Sequence, residues 1–376
     1  MADKSAIEWT DATWNPIRAR NLKTGKVGWH CEHATTACEF CYAEGFNKRL
    51  GTGLPFKPGH RKDIEIFLDE EMLTQPLRWK KPRMIFVGSM TDLFADFVTD
   101  DMLDKIFAVM ALSPRHTFQV LTKRAARMRA YCSNPAAVRR IYELACDIAL
   151  ANELQVVLIG NPAHEAIAPP GPRVYLDVWP LRNVWLGVST ERQQEADERI
   201  PLLLQTPAAV RFISAEPLLG PIELLKIPGG GAFKMATTAL GAATNMGWHQ
   251  VGLHWVIAGG ESGPKARPSQ ADWIRSLRDQ CASAGVAYHF KQWGEYLPVG
   301  QSLPGYGKVH GATAVKPGRM KLHYGGTPKQ VPKYAFAERG VAFASTADNR
   351  LTFRVGKKAS GRLLDGVEHS EFPVTQ

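Results

Sequence analysis

Six short apolar runs recur along the chain, each ending in small or polar residues: RMIFVGSM (83–90), TFQVLTKR (117–124), NVWLGVST (183–190), VRFISAEP (210–217), HWVIAGGES (254–262) and VAYHFKQWG (286–294). Near-continuous apolar runs of this length predict strands buried on both faces, as in a parallel sheet covered by helices. Helical sequence follows. TDDMLDKIFAVMAL has Thr99 in place to cap its start, ERQQEADERIPLLLQ comes next, and SQADWIRSLRDQCASAG offers Ser269 as cap and Gly285 as stop. With a further strand expected near Val27 to His30, the pattern is too short for a closed eightfold barrel and long enough for an open one. The expected fold is α/β, a partial (β/α)6-type parallel barrel.

In parallel barrels the chemistry gathers at the C-terminal ends of the strands. Here those ends read GSMTD, LTKR, GVST, SAEP, GGES and KQWG, polar where a packed core would carry Val or Leu, and they predict one shared cavity. Two stretches break the rhythm, a Pro-rich one near 161–182 and a Gly-, Ala- and Thr-rich one near 227–253, and both read as insertions. After Trp293 the rhythm stops. The expected division is a barrel over 1–294 and a basic C-terminal extension or subdomain over 295–376.

The 376 residues, 45% hydrophobic, can bury a large core, which argues against disorder. No window approaches the ~18 uninterrupted apolar residues of a membrane span, and the first twenty residues lack an apolar signal region, so a cytoplasmic protein without membrane contact is expected. Net charge is +10, and from Tyr296 onward twelve Lys or Arg face five Asp or Glu, so this stretch supplies +7 of it. A basic, Gly-rich, Tyr-bearing segment suits a polyanion such as nucleic acid, and equally a solvated basic surface.

Six cysteines are too sparse for a disulfide framework, and Cys132, Cys146 and Cys281 stand apart in helix-like sequence as buried, inert thiols. The other three, Cys31, Cys38 and Cys41, form C-x6-C-x2-C. Three thiolates on a cubane leave one of four irons open to a small molecule. Zinc is the rival, with His30 or His33 completing a closed Cys3His tetrahedron. Both remain open on spacing alone.

The chain resembles the phage three-Cys-motif proteins, a radical-SAM-like family of bacteriophages and prophages. The resemblance runs nearly end to end through IEWTDATWNP, the C31-x6-C38-EF-C41-YAE loop, FVGSMTDLF, LTKRAARM, NVWLGVST, RFISAEPLLGP, WVIAGGESGPKARP, FKQWG and VGKKASGRLLDGVEHSEFP. It is also similar to the wider radical SAM superfamily, whose loop is C-x3-C-x2-C with an aromatic residue before the third cysteine, a place Phe40 fills. The six-residue first spacer departs from that pattern, and the 161–182 insertion is larger than the family suggests.

The resemblance implies a 4Fe-4S cluster on Cys31, Cys38 and Cys41, S-adenosyl-L-methionine as second cofactor, and Phe40 beside its adenine. Gly88 and Ser89 take the place that meets the methionine amino group, while Lys123 and Arg124 would neutralise its carboxylate or a substrate phosphate, or form an ordinary solvated pair. Ser189 and Thr190 are candidates for the ribose; Gly259, Gly260 and Glu261 for adenine or ribose. Glu216, at a strand end beside Pro217, is expected to face a cavity, Lys291, Gln292 and Trp293 are expected to face substrate, and Lys123, Arg124, Glu216 and Lys291 are the catalytic candidates. Trp14, Asn15 and Pro16 read as packing residues. The expected function is a radical enzyme fed by an external one-electron reductant, acting in the host cytoplasm on a nucleic-acid base such as a modified thymine in phage DNA or its nucleotide. The alternatives are a radical enzyme on a small molecule or peptide, and a zinc-bound nucleic-acid-binding protein without catalysis.

Overall fold

A computed structural model describes residues 5–151, 155–158, 173–176, 179–227, 238–241, 252–303, 307–316, 319–324, 336–337, 340–344 and 349–374. Most of the two insertions at 161–182 and 227–253 lies outside these residues, as do the side chains over 303–351. The strands are β1 (Ala12–Trp14), β2 (Ile17–Asn21), β3 (Val27–Gly28), β4 (Ile64–Leu68), β5 (Met84–Val87), β6 (Thr117–Thr122), β7 (Gln155–Leu158), β8 (Arg173–Leu176), β9 (Val184–Ser189), β10 (Val210–Ala215), β11 (Trp255–Gly259) and β12 (Ala287–Gln292), before further C-terminal ones. Seven of them form one sheet in the order β1-β5-β6-β9-β10-β11-β12, so the class is mixed α/β. All six strands read from the sequence are in it. The strand expected near Val27 to His30 is a correction. It forms only over Val27–Gly28, in an antiparallel sheet ordered β3-β2-β4, and Ala12–Trp14 opens the parallel series instead.

The chain divides into two compact units, Met1–Val188 with Arg199–Phe212, and Ser189–Glu198 with Ile213–Gln376. In the first, β1, β5, β6 and β9 pair in parallel, Ala12 opposite Ile85, Ile85 opposite Phe118 and Phe118 opposite Val184. All six positions of β9 are buried, as expected of a strand covered on both faces. The helices of this unit are α1 (Tyr42–Leu50), the short α2 (Glu70–Leu73) and α3 (Gln75–Arg78), α4 (Asp100–Ala111), α5 (Ala125–Cys132) and α6 (Pro135–Ala151), with α4 packed on α6. Thr99 caps α4 as expected, its hydroxyl accepting the Met102 amide at 3.3 Å. Cys132 is buried, but Cys146, on α6, is exposed, contrary to expectation.

In the second unit β11 pairs with β12 in parallel, Trp255 opposite Ala287. The helix between them (α8, Ala271–Ala284; α7 being Gln193–Leu204) ends at Gly285, whose φ of +67° is the left-handed stop that glycine supplies. Its start differs from expectation. Gln270 is the N-cap and makes no side-chain cap bond, while Ser269 is buried with an unpartnered hydroxyl.

Beyond β12, residues Tyr296–Pro298, Asn349–Arg354 and Gly340–Ala344 pair as an antiparallel sheet. The last residues then return to the edge of β12. The Phe290 amide donates to His369 at 2.9 Å, the Trp255 indole donates to the Glu371 carbonyl at 2.8 Å, and Asp365 receives Arg275 and Arg278 from α8. An otherwise open sheet edge is thereby covered.

Candidate functional site

The cysteine loop leaves β3, passes Trp29 and His30 to Cys31, forms one 3-10 turn over Thr36–Cys38 and enters α1 immediately after Cys41. Asn47, wholly buried on α1, ties the two ends of the loop together. Its Oδ1 accepts the Trp29 amide at 3.0 Å and the Thr52 amide at 3.1 Å, and its Nδ2 donates to Thr52 Oγ1 and the Leu54 carbonyl. Cys31 and Cys41 pack against one apolar cluster of Ala43, Phe56 and Met90, together with Trp29. Phe40 is half-buried between Cys38 and Cys41 in the chain.

The end of β5 meets this loop. Gly88 has a φ of +72°, and a Cβ there would lie 2.6 Å from the Thr91 carbonyl, so the turn requires glycine. Its amide donates to the Trp14 carbonyl at 2.9 Å. Ser89 is held from two sides, its hydroxyl by Asn15 Nδ2 at 3.0 Å and its carbonyl by the Tyr42 hydroxyl at 2.8 Å. Asn15 Oδ1 also accepts the Met90 amide at 2.9 Å. Asn15 is thus more than packing; it orders the loop that faces the cysteines.

Asp92, a residue the sequence reading passed over, organises the third side. Its carboxylate accepts Thr122 Oγ1 at 2.6 Å, the Lys123 amide at 2.9 Å, the Phe94 amide at 3.0 Å and Arg124 Nη1 at 2.9 Å. Arg124 Nη2 in turn donates to the carbonyl of Glu32, the residue after Cys31, at 2.9 Å. Arg124 therefore clamps the cysteine loop, and its charge is already met by Asp92. A carboxylate closing a strand end, in GSMTD, was the signal available for it.

Electrostatics link these groups. Burial pushes the Cys31 thiol up to about 12, the Asp92 carboxylate adds to this, and the Asp92 backbone amide and Arg124 oppose it. Burial likewise raises Cys41, opposed by the Glu44 and Ala43 amides at the start of α1 and by Lys123, while Cys38 adds to the rise. Thiols raised in this way become thiolates when a cation such as a metal ion meets them. In this conformation, however, no three His, Cys, Asp or Glu side chains among the described residues form a group that could hold a metal ion. The donor types fit a metal–sulfur group, and the sulfurs do not stand in ligand geometry. Of the two histidines that could complete a zinc site, His33 Nε2 lies 2.6 Å from Glu44 Oε2, and His30 is buried against the Phe56 and Phe97 rings, with Nε2 3.5 Å from Glu32.

The second unit gathers the remaining candidates. Thr190, following β9, is fully buried, its amide donating to the Ser214 carbonyl at 2.9 Å while its hydroxyl has no hydrogen-bond partner; Ser189 is buried beside it in the chain. Lys291 Nζ donates to Glu216 Oε1 at 2.7 Å, joining the ends of β12 and β10. Gly259 accommodates that pair, since a Cβ there would sit 3.3 Å from the Glu216 carboxyl carbon. A Cβ at Gly260 would lie 2.0 Å from the Trp293 carbonyl, so the backbones approach in a way only glycine permits. Glu261 is engaged by Arg267, which donates from its backbone amide at 2.7 Å, from Nε at 2.9 Å and from Nη2 at 2.7 Å. Next to it, Gln292 donates to the Ser262 hydroxyl at 3.0 Å and keeps a buried, unpartnered carbonyl oxygen.

A family model described as a protein of unknown function, DUF5131, matches residues 4–373. The chain belongs to the DUF5131 family. No curated protein and no solved structure matches the chain. The description of DUF5131 assigns no activity, so residue roles rest on the geometry above. No helix among the described residues is long and apolar enough to cross a membrane.

Proposed function

We propose that this protein is a radical enzyme in which Cys31, Cys38 and Cys41 hold a 4Fe-4S cluster, S-adenosylmethionine is the second cofactor, and a nucleic-acid base, such as a modified thymine in phage DNA or its nucleotide, is the substrate. One observation supports the reading above the others: Cys31 and Cys41, two of the loop's three thiols, are partly buried beside the Gly88–Asp92 strand end and the Lys123–Arg124 pair. The resemblance to the phage three-Cys-motif proteins and the basic stretch after Tyr296 support the nucleic-acid part.

Such a cluster, held by these three thiolates, would supply one-electron reduction, the chemistry that cleaves a sulfonium cofactor and allows hydrogen to be taken from unreactive carbon. The chain's own residues have separable tasks. Asp92 and Arg124 fix the backbone after Cys31, and Asn47 fixes the backbone before it. Lys123 sets a positive charge by Cys41, suited to a carboxylate or phosphate. Glu216 and Lys291 form a pair able to hold or pass a proton at Glu216 Oε1.

The test is incubation of reduced, iron-loaded protein with S-adenosylmethionine and phage DNA, followed by digestion to nucleosides. The expected products are 5′-deoxyadenosine and an altered nucleoside. Absence of 5′-deoxyadenosine contradicts the radical chemistry, and its formation with unchanged nucleosides contradicts the substrate.

A further inference from the structure

Arginines precede three neighbouring strands of the first unit: Arg83 comes before β5, Arg115 before β6 and Arg182 before β9. The register sets these entry points side by side. Met84 stands opposite Thr117 and Phe118 opposite Val184, and the Thr117 amide donates to the Arg83 carbonyl at 2.9 Å. Asn183, which follows Arg182, donates to the Ser113 carbonyl at 3.2 Å and so ties the third entry to the second. Adjacent strands stand about 4.8 Å apart, so the row spreads over about 10 Å. It occupies the ends of β5 and β6 opposite to those that lead into Gly88–Asp92 and Lys123–Arg124.

The chain leading into β5 adds to the row. α3 ends at Arg78, and Trp79, Lys80 and Lys81 follow; Arg78, Lys80, Lys81, Arg115 and Arg182 are exposed and Arg83 is half-exposed. The segment is anchored from beneath. The Arg83 guanidinium lies 4.6 Å over the Trp79 ring, Trp79 packs edge-on against buried His116 at 5.9 Å, and His116 Nε2 donates to the Pro76 carbonyl at 3.1 Å. Segments 78–84, 113–117 and 180–183 contain no Asp or Glu. Acidic side chains border the row at Asp11, which accepts the Met84 amide at 2.8 Å, and at Glu70 and Glu71 on α2, onto which Arg78 folds back. Among the described residues, no carboxylate stands within ion-pair distance of Lys80, Lys81 or Arg115.

Chemistry narrows the partner. A solvated surface ordinarily mixes both signs of charge, and one sign spread over neighbouring strand starts suits an extended polyanion. None of the large apolar side chains exposed on the described residues falls in these segments, so the face lacks the apolar centre of a protein interface and the apolar side chains that enter a bilayer. Guanidinium groups and lysines without apolar company match phosphate oxygens. We propose that the starts of β5, β6 and β9, with Arg78, Lys80 and Lys81, form a contact face for the phosphate backbone of a nucleic acid, remote from the cysteine loop and indifferent to base sequence. The inference rests on the nucleic-acid part of the proposed function and not on its iron–sulfur part.

The test is fluorescence anisotropy of labelled single-stranded oligonucleotides of two unrelated sequences, titrated with the full chain as purified. The wild type should bind both equally, and affinity should fall steeply as salt rises. Each cation removed should weaken binding about fivefold at about 0.1 M salt and flatten the slope of log affinity against log salt by about 0.7. Arg115→Gln should therefore lose about fivefold and the double variant Lys80→Gln with Lys81→Gln about 25-fold, both melting at the wild-type temperature. A wild type that binds neither oligonucleotide overturns the inference. Unchanged binding in the Lys80 and Lys81 variant, with loss in Lys357→Gln and Lys358→Gln, overturns it in favour of the basic C-terminal stretch. Binding to phosphatidylserine vesicles that the same lysine changes abolish, without oligonucleotide binding, overturns it in favour of a membrane. Oligonucleotide binding through Lys80 and Lys81 by a protein that alters no nucleoside upholds this face while contradicting the proposed substrate.

Discussion

The cysteine region and the strand-end group of the second unit are both rich in charge, yet they use it differently. Around Cys31, charged and amide side chains are spent on backbone: Arg124 holds the Glu32 carbonyl, Asp92 the Phe94 and Lys123 amides, and Asn15 and Asn47 hold Met90 and Trp29. In the second unit the charges face each other, Glu216 with Lys291 and Glu261 with Arg267. The first arrangement is a frame of side-chain bonds to backbone around the cysteines, in which Asp92 also pairs with Arg124. The second is balanced without any addition. A site built for a metal–sulfur group needs the former, and a site that moves protons or holds a polar substrate is served by the latter.

The sharpest way to break this contrast is Asp92→Ala. Its carboxylate has four donors, one of them the half-buried Arg124, so its removal should destabilise the protein by about 3–5 kcal/mol in urea titration and should abolish most iron uptake. Retention of both would mean the frame does not depend on Asp92.

Acid should separate the regions next. His289, 1% exposed with both ring nitrogens unpartnered, is held down to about 4 by burial, helped by Arg362 and Lys291. A depressed histidine stabilises the fold above its unfolded value near 6.5, and that contribution is lost as pH falls through 6.5 to about 4. The loss should reach about 3 kcal/mol, measured by denaturant titration across that range, and should be flattened in His289→Phe. An equally steep loss in that variant would place the acid sensitivity elsewhere, for instance at buried His30 or His116, which burial also lowers.

Smaller effects sharpen the picture. Gly88→Ala should cost about 2 kcal/mol, because the new Cβ meets the Thr91 carbonyl at a positive φ. Glu216→Gln should cost about 1 kcal/mol, since Lys291 keeps a neutral acceptor and some solvent access. If it costs much less than that but removes activity, the pair acts in chemistry rather than in holding the strand ends.

Much of the fold was legible because it is written in local patterns. The β9 and β11 runs are buried throughout and apolar but for Ser189, and Gly285 stops α8 where a left-handed residue is needed. The cysteine loop was legible because thiol spacing is itself the signal. Asp92, Asn15 and Asn47 were not, for Asp and Asn in loops ordinarily read as turn formers, and their partners lie far off in sequence, as with Asn15 and Ser89. Lys123 and Arg124 looked alike as neighbours after a strand, and only the fold separates a residue beside Cys41 from a clamp on Glu32. Ser269 failed as a cap because burial takes its hydroxyl away from the helix start. The return of His369 and Glu371 to β12 left no periodic trace, since it satisfies an edge rather than a face.

The central claim is that Cys31, Cys38 and Cys41 together hold an iron–sulfur cluster, and metal and sulfide analysis of anaerobically purified protein tests it most directly. The account predicts a brown protein with about four irons and four sulfides per chain, reduced to none when Cys31, Cys38 and Cys41 are all replaced by serine. A colourless wild-type protein carrying about one zinc, or iron retained by the triple variant, would contradict it.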